Sequence, residues 1–135
     1  MSHFTHLALH VRDLDACVRF YEAFCGLVVT HRRGTGPHRV VWLAEVGRET
    51  AFVFVLLEGG PGRKQAEGDF SHLGFACGSR EAVDQVARRG QEAGCLAWPP
   101  RQEPYPVGYY CGLNDPDGNF IEMSFGQSID PVQPV

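Results

Sequence analysis

Two stretches of the chain share one pattern of apolar and polar positions. The first opens Phe4-Thr5-His6-Leu7-Ala8-Leu9-His10-Val11, the second Phe70-Ser71-His72-Leu73-Gly74-Phe75-Ala76-Cys77. Phe, a hydroxyl residue, His and Leu recur in order, with His72 lying 66 residues after His6, close to half the chain. Both openings alternate as strands do. After the first comes Asp13-Leu14-Asp15, and then Leu14, Cys17, Phe20, Tyr21 and Phe24 at helical spacing, with Asp13 as cap and Gly26 as terminator. The second repeats the logic with Ser79 as cap, an apolar face of Ala82, Val83, Val86, Ala87, Gly90 and Ala93, and Gly94 as terminator.

Strand patterns follow each helix. They cover Val28–His31, Val40–Val46 and Thr50–Leu57 in the first half, and Cys95–Trp98, Val107–Leu113 and Asn119–Phe125 in the second. Asp115-Pro116-Asp117-Gly118 is a turn signal, and Pro99-Pro100 and Pro104–Pro106 read as loops. The chain is therefore expected to be α+β, built from two βαβββ modules. Residues 1–60 form the first, 61–69 a Gly-rich linker, 70–127 the second and 128–135 a frayed tail. Neither half is long enough to bury its helix and sheet well alone.

Strand alternation singles out three polar residues. Leu7, Leu9 and Val11 oppose His6, Ala8 and His10; Leu73, Phe75 and Cys77 oppose His72, Gly74 and Ala76; Ile121, Met123 and Phe125 oppose Phe120, Glu122 and Ser124. One face is bulky and suits a covering helix. The other carries one coordinating residue among small ones, which leaves a concave space lined by His6, His72 and Glu122. A carboxylate among Phe120, Ile121 and Met123 needs a counter-charge. Two solutions are open: a divalent transition metal (Fe, Mn, Ni, Co or Zn), which two imidazoles and a carboxylate suit, or histidines hydrogen-bonded within the sheet and a Glu122 that meets an arginine.

The remaining composition narrows the classes. With 12 Lys and Arg against 16 Asp and Glu, the formal charge is −4, and the basic residues form pairs rather than a stripe, which argues against nucleic acid. The longest apolar run, Ala51–Leu57, is far below the roughly 18 residues of a membrane span, and Met1–His10 lacks a signal-peptide pattern. Five cysteines without CxxC spacing read as small, reduced hydrophobes. A soluble, cytoplasmic protein without membrane or nucleic-acid partners is expected.

The His-Leu-x-Leu/Phe strands, the helix from Asp13-Leu14-Asp15 through Phe20-Tyr21 to Gly26-Leu27, and Asp115-Pro116-Asp117-Gly118-Asn119-Phe120-Ile121-Glu122 together resemble the vicinal oxygen chelate superfamily. That group includes glyoxalase I, bleomycin resistance proteins, extradiol dioxygenases and fosfomycin resistance thiol transferases. The resemblance runs to about Gln127. It implies paired βαβββ modules whose sheets curve into a cup, one divalent metal held by His6, His72 and Glu122, and a homodimer. It also implies a small substrate that chelates the metal through adjacent oxygens, in lyase, isomerase or extradiol-dioxygenase chemistry. Glu122, His10 and Tyr109 are the candidates for catalytic roles, with Tyr110 expected on the opposite face.

Departures from each subfamily matter. The fourth carboxylate or amide ligand of glyoxalase I falls on Val55, or on Phe54 after a one-residue slip, with Glu58 just beyond. The dioxygenase tyrosine falls on Gly112, and no His follows His72. The threonine of the fosfomycin enzymes falls on Ala8, and no Arg or Lys cluster stands near the last strand. The rival expectation is a metal-free, bleomycin-resistance-like protein that binds its ligand with aromatic residues such as Trp42, Trp98, Tyr105, Tyr109 and Tyr110.

Overall fold

The computed structural model describes residues 1–127 and 129; the expected tail at 128–135 lies, apart from Ile129, outside them. The elements run in the order β1 (His6–Val11), α1 (Leu14–Cys25), β2 (Val28–Arg33), β3 (Val40–Ala44) and β4 (Val53–Glu58). They continue with β5 (His72–Ala76), α2 (Arg80–Glu92), β6 (Leu96–Glu103), β7 (Gly108–Asn114) and β8 (Phe120–Phe125). Two four-stranded mixed sheets result, ordered β1-β4-β3-β2 and β5-β8-β7-β6. In each, the first strand runs parallel to the last and the other pairings are antiparallel. This is the α+β, twice βαβββ architecture that the repeat predicts. The chain divides into two compact units between Lys64 and Gln65.

In the first unit α1 starts where the Asp13 carboxylate accepts the Ala16 N–H at 3.0 Å, and ends at Gly26, whose φ of 66° few other residues tolerate. Leu14, Cys17, Val18, Phe20 and Tyr21 form its buried stripe. The Tyr21 ring meets Phe54 edge-on at 4.9 Å. Val41, Leu43, Phe54 and Leu56 share this covered sheet face, since Val41 pairs with Leu56 and Leu43 with Phe54. His6, Ala8, Trp42 and Val55 therefore point the other way. Each fully buried side chain of this size contributes about 1.5–3 kcal/mol, so the helix face holds the unit together and leaves the opposite face free for chemistry.

The second unit repeats this arrangement. The Ser79 hydroxyl accepts the Ala82 N–H at 3.0 Å, and Val83, Val86, Ala87 and Gly90 are buried. Across from them lie Cys111, Leu113, Ile121 and Met123.

Several strand limits differ from the sequence reading; β2, for one, runs on to Arg33. The third strand stops at Ala44 and the fourth starts at Val53, because hydrogen-bonded turns (Arg48 N–H to Glu45 carbonyl, Ala51 N–H to Arg48 carbonyl) occupy the interval. Conversely, β6 runs straight through Pro99-Pro100, expected to be loop. It is the edge strand, with β7 as its one sheet neighbour among the described residues, and its register slips between Leu96 and Trp98 and again between Trp98 and Arg101. Bulges on an edge strand are where residues lacking an N–H fit.

Candidate metal centre

Glu122 is set in place by the turn before β8. The Asp115 carboxylate accepts the N–H groups of Asp117 and Asn119, both at 2.9 Å, and the Asn119 side-chain amide at 3.0 Å. The Gly118 N–H reaches the Asp115 carbonyl at 3.0 Å. This closed turn fixes the β7–β8 register, with Gly112 opposite Glu122. On the other side Glu122 lies beside Gly74 of β5. Gly74 has no side chain, so the carboxylate reaches past it to His72 on the same face. His72 Nε2 and Glu122 Oε2 are 2.6 Å apart, and the Glu122 side chain is only 8% exposed. The partner that the buried Glu122 carboxylate meets is thus histidine, not arginine.

The chemistry of this contact is constrained from behind. His72 Nδ1 lies 2.6 Å from the carbonyl oxygen of Phe70. A carbonyl only accepts, so Nδ1 carries the proton and donates it, and the lone pair of the neutral ring sits on Nε2, aimed at a carboxylate. Two acceptors that close need a positive charge shared between them: a proton, or a metal ion that takes both as ligands. Backbone anchoring of the remote ring nitrogen is the usual support for a metal-binding imidazole. Gln127 adds a contact from its side-chain amide to Glu122 Oε1 at 3.4 Å while also donating to the Val107 carbonyl. An imidazole and a carboxylate are donors of the kind a divalent transition-metal ion takes, two of the set it needs.

The pair lines a cavity of about 420 Å³ with Trp98, Arg101, Tyr110 and Gln127. Tyr110 pairs with Ser124 and Gly112 with Glu122, so even-numbered residues of β7 share the face of Glu122. Tyr109 consequently faces α2: its hydroxyl donates to Asp84, and the Arg80 guanidinium lies 3.8 Å above its ring. The structure thus exchanges the two tyrosines relative to the sequence reading. Tyr110 is the one at the cavity, and counting pairs back from Glu122 through the turn would have found it. Arg101 reaches the cavity from the bulged stretch of β6, which strand periodicity does not reveal.

His6 stands in a cavity of about 510 Å³ in the first unit, floored by Ala8, Val53, Val55 and Leu57 and walled by Trp42 and Arg33. Its Nδ1 lies 2.9 Å from the Thr5 hydroxyl. Val55 faces this cavity and offers no ligand atom. Glu58 is committed elsewhere, as its carboxylate accepts the Arg39 guanidinium at 2.8 and 3.0 Å and the Arg39 backbone N–H at 3.0 Å. Glu49, which sequence reasoning passed over, also lines the cavity; the Gly47 N–H, donated at 2.9 Å, holds its carboxyl below the usual range. His10 lies against Gly60, where an added Cβ would come within 2.7 Å of the imidazole, and is not among the residues lining the cavity. Among the described residues no three His, Cys, Asp or Glu side chains gather closely enough to hold a metal. Within the second unit the structure brings His72 and Glu122 together; His6 stands in the first. Among the thiols, burial, then nearby negative charge, pushes Cys111 up to about 12, and burial raises Cys77 and Cys95, so these three stay protonated and unreactive by themselves.

A family model described as the Glyoxalase/Bleomycin resistance protein/Dioxygenase superfamily matches residues 3–123. The chain belongs to this superfamily. Its sequence is 60% identical over 127 residues to PA2024, an uncharacterized protein of Pseudomonas aeruginosa, spanning 94% of this chain and 91% of that one. Among solved structures, a mutant of the fosfomycin resistance protein FosX from Listeria monocytogenes, complexed with Mn(II) and 1S,2S-dihydroxypropylphosphonic acid, superposes with a TM-score of 0.74 at 19% identity; the match covers 96% of this chain and 95% of that one. The trypanothione-dependent glyoxalase I of Leishmania major gives 0.66 at 21%, covering 94% and 88%. A superfamily domain from Frankia sp. EAN1pec gives 0.71 at 23%, covering 93% and 98%. At these identities the likeness is one of fold. No helix among the described residues is long and apolar enough to cross a membrane.

Proposed function

We propose that this superfamily member is a metal-dependent enzyme in which His72, Glu122 and His6 hold one divalent ion. Its substrate would be a small molecule with two adjacent oxygen atoms, and the working unit a cytoplasmic homodimer. The observation that carries the reading is the 2.6 Å approach of His72 Nε2 to a buried carboxylate while Nδ1 is anchored on a carbonyl. The open mixture of imidazole and carboxylate suits Mn, Fe, Co, Ni or Zn. Manganese is the first to try, because FosX, which shares the fold, was solved with Mn(II).

A bound divalent ion supplies Lewis acidity toward the substrate's oxygens. The chain's own groups do the rest. Phe70 fixes the tautomer of His72 through its carbonyl, and Gln127 holds the outer oxygen of Glu122. Tyr110, on the face of Glu122 and lining the same cavity, is placed to give or take a proton at its hydroxyl. Trp98 and Phe70 give the cavity an aromatic lining. Tyr109 is engaged with Asp84 and His10 lies beneath Gly60, so neither receives a role. The absence of a carboxylate at Val55 disfavours a glyoxalase I-type ligand set.

Elemental analysis of untagged, chelator-free protein tests this directly. About one equivalent of metal per chain is expected in the wild type, and none in His72→Ala or Glu122→Ala. Unchanged stoichiometry in His72→Ala sinks the ligand assignment. The aromatic lining of the cavity, Trp98 with Phe70, favours as second reading a metal-free binder, whose ligand affinity chelators would leave untouched.

A further inference from the structure

Gly112 sits mid-strand in β7, where glycine weakens a sheet and has to be explained by something close to the backbone. The explanation is Trp98. A Cβ built on Gly112 would lie 2.2 Å from the six-membered ring of the Trp98 indole and within 3.0 Å of three of its atoms. Trp98 and Gly112 are cross-strand partners, and Gly112 is in turn the partner of Glu122. The indole therefore lies down on bare backbone, one strand away from the carboxylate. Neighbouring rings hold it there: Phe120 packs against the indole at 4.9 Å between centroids with a tilt of 38°, Phe70 lies at 6.5 Å, and the His72 ring stands perpendicular to it at 6.1 Å. With Gly112 beneath it and Phe120 against it, the indole still contributes to the lining of the cavity, beside His72 and Glu122. A cavity of about 420 Å³ accommodates a single-ring ligand.

The same strand also brings a cation to the cavity. Arg101 is the cross-strand partner of Tyr110, and both line the cavity. Its Nε faces Glu103 at 3.2 Å, and its two terminal nitrogens carry no hydrogen bond among the described residues, so they can take the oxygens of an anion.

We propose that Trp98, laid flat by Gly112, is the platform that selects a planar ring, and that Arg101 takes that ring's carboxylate. The substrate class is then a planar, conjugated or aromatic carboxylate carrying further oxygen toward His72 and Glu122. This rests on the metal reading for the orientation of those oxygens, and on Trp98, Gly112 and Arg101 alone for the choice of ring. Gly112 and Trp98 are specificity-determining residues.

The test uses two probes of equal charge and oxygen content, 2-hydroxybenzoate and 2-hydroxycyclohexanecarboxylate, titrated calorimetrically into manganese-treated full-length protein whose metal content is measured on the same samples. The wild type is expected to prefer the planar ring by tenfold or more. Trp98→Leu and Gly112→Ala should each reduce that preference to within twofold, Trp98→Phe should keep most of it, and Arg101→Gln should weaken both probes alike by about tenfold. Circular dichroism confirms folding, and Trp98→Phe supplies the comparison if a harsher variant fails to fold. Equal affinity for the two probes in the wild type, no binding of either, or a preference that survives Trp98→Leu overturns the platform. If the preference is present and Trp98-dependent in protein that takes up no metal, the platform stands and the metal reading falls.

Discussion

At the scale of single residues, what decides a role is whether each polar atom has its partner. Glu58 shows the principle away from the candidate centre. Hydrogen bonds from the Arg39 guanidinium, then from its backbone N–H, hold the Glu58 carboxyl at about 2 instead of the ordinary 4.5. Arg39 also pairs with Asp15 of α1 at 3.1 Å, so one guanidinium ties the ends of β3 and β4 to the first turn of the helix. The folded-state value lies below the unfolded one. The ionised carboxylate therefore contributes stability above about pH 4.5, and that contribution is lost as pH falls toward 2. Glu58→Gln should thus lower the urea midpoint relative to wild type at pH 7, with the gap closing between pH 4.5 and 2. Because Arg39 is partly exposed, added salt should narrow the gap at neutral pH. A difference that stayed constant from pH 7 to pH 2 would show that packing, rather than this ion pair, accounts for it.

At the scale of elements, helix ends and turns carried most of the legible information. Asp13 and Ser79 each accept an N–H three residues on, and both were visible as caps in the sequence. Replacing either by Ala should cost about 1 kcal/mol in urea unfolding. The two losses should add within about 0.5 kcal/mol, because the caps belong to different units and share no partner. The Asp115–Asn119 turn was equally readable, and with it the placement of Glu122. What stayed hidden were features with no local pattern. Pro99-Pro100 reads as a break, yet an edge strand with bulges absorbs both prolines, and that irregularity brings Arg101 to the cavity. Assigning Tyr110 rather than Tyr109 needs the cross-strand register, which one strand's alternation cannot supply. Gly112 looks like a strand-weakening residue until the indole that it accommodates is seen.

At the scale of the whole molecule, the repeat has been put to unequal use. The position occupied by Glu122 in the second unit corresponds to Val55 in the first, so each unit has its histidine and only one has the carboxylate. Two ligands from the second unit leave a divalent ion short of its set, which is why His6 is proposed as the third. Metal that binds only the folded protein stabilises it by about 2.7 kcal/mol at one hundred times its dissociation constant. Manganese should then raise the thermal midpoint of the wild type by several degrees, and chelator should reverse the shift. His72→Ala and Glu122→Ala should show none of it. His6→Ala is the informative variant: loss of the shift supports its place as third ligand, whereas an undiminished shift confines the centre to His72 and Glu122. Light scattering on the same samples should give about twice the 14.9 kDa chain mass for the proposed homodimer. Measuring mass and metal response together separates the two ideas, since a monomer that keeps its manganese-dependent midpoint removes the dimer and leaves the centre.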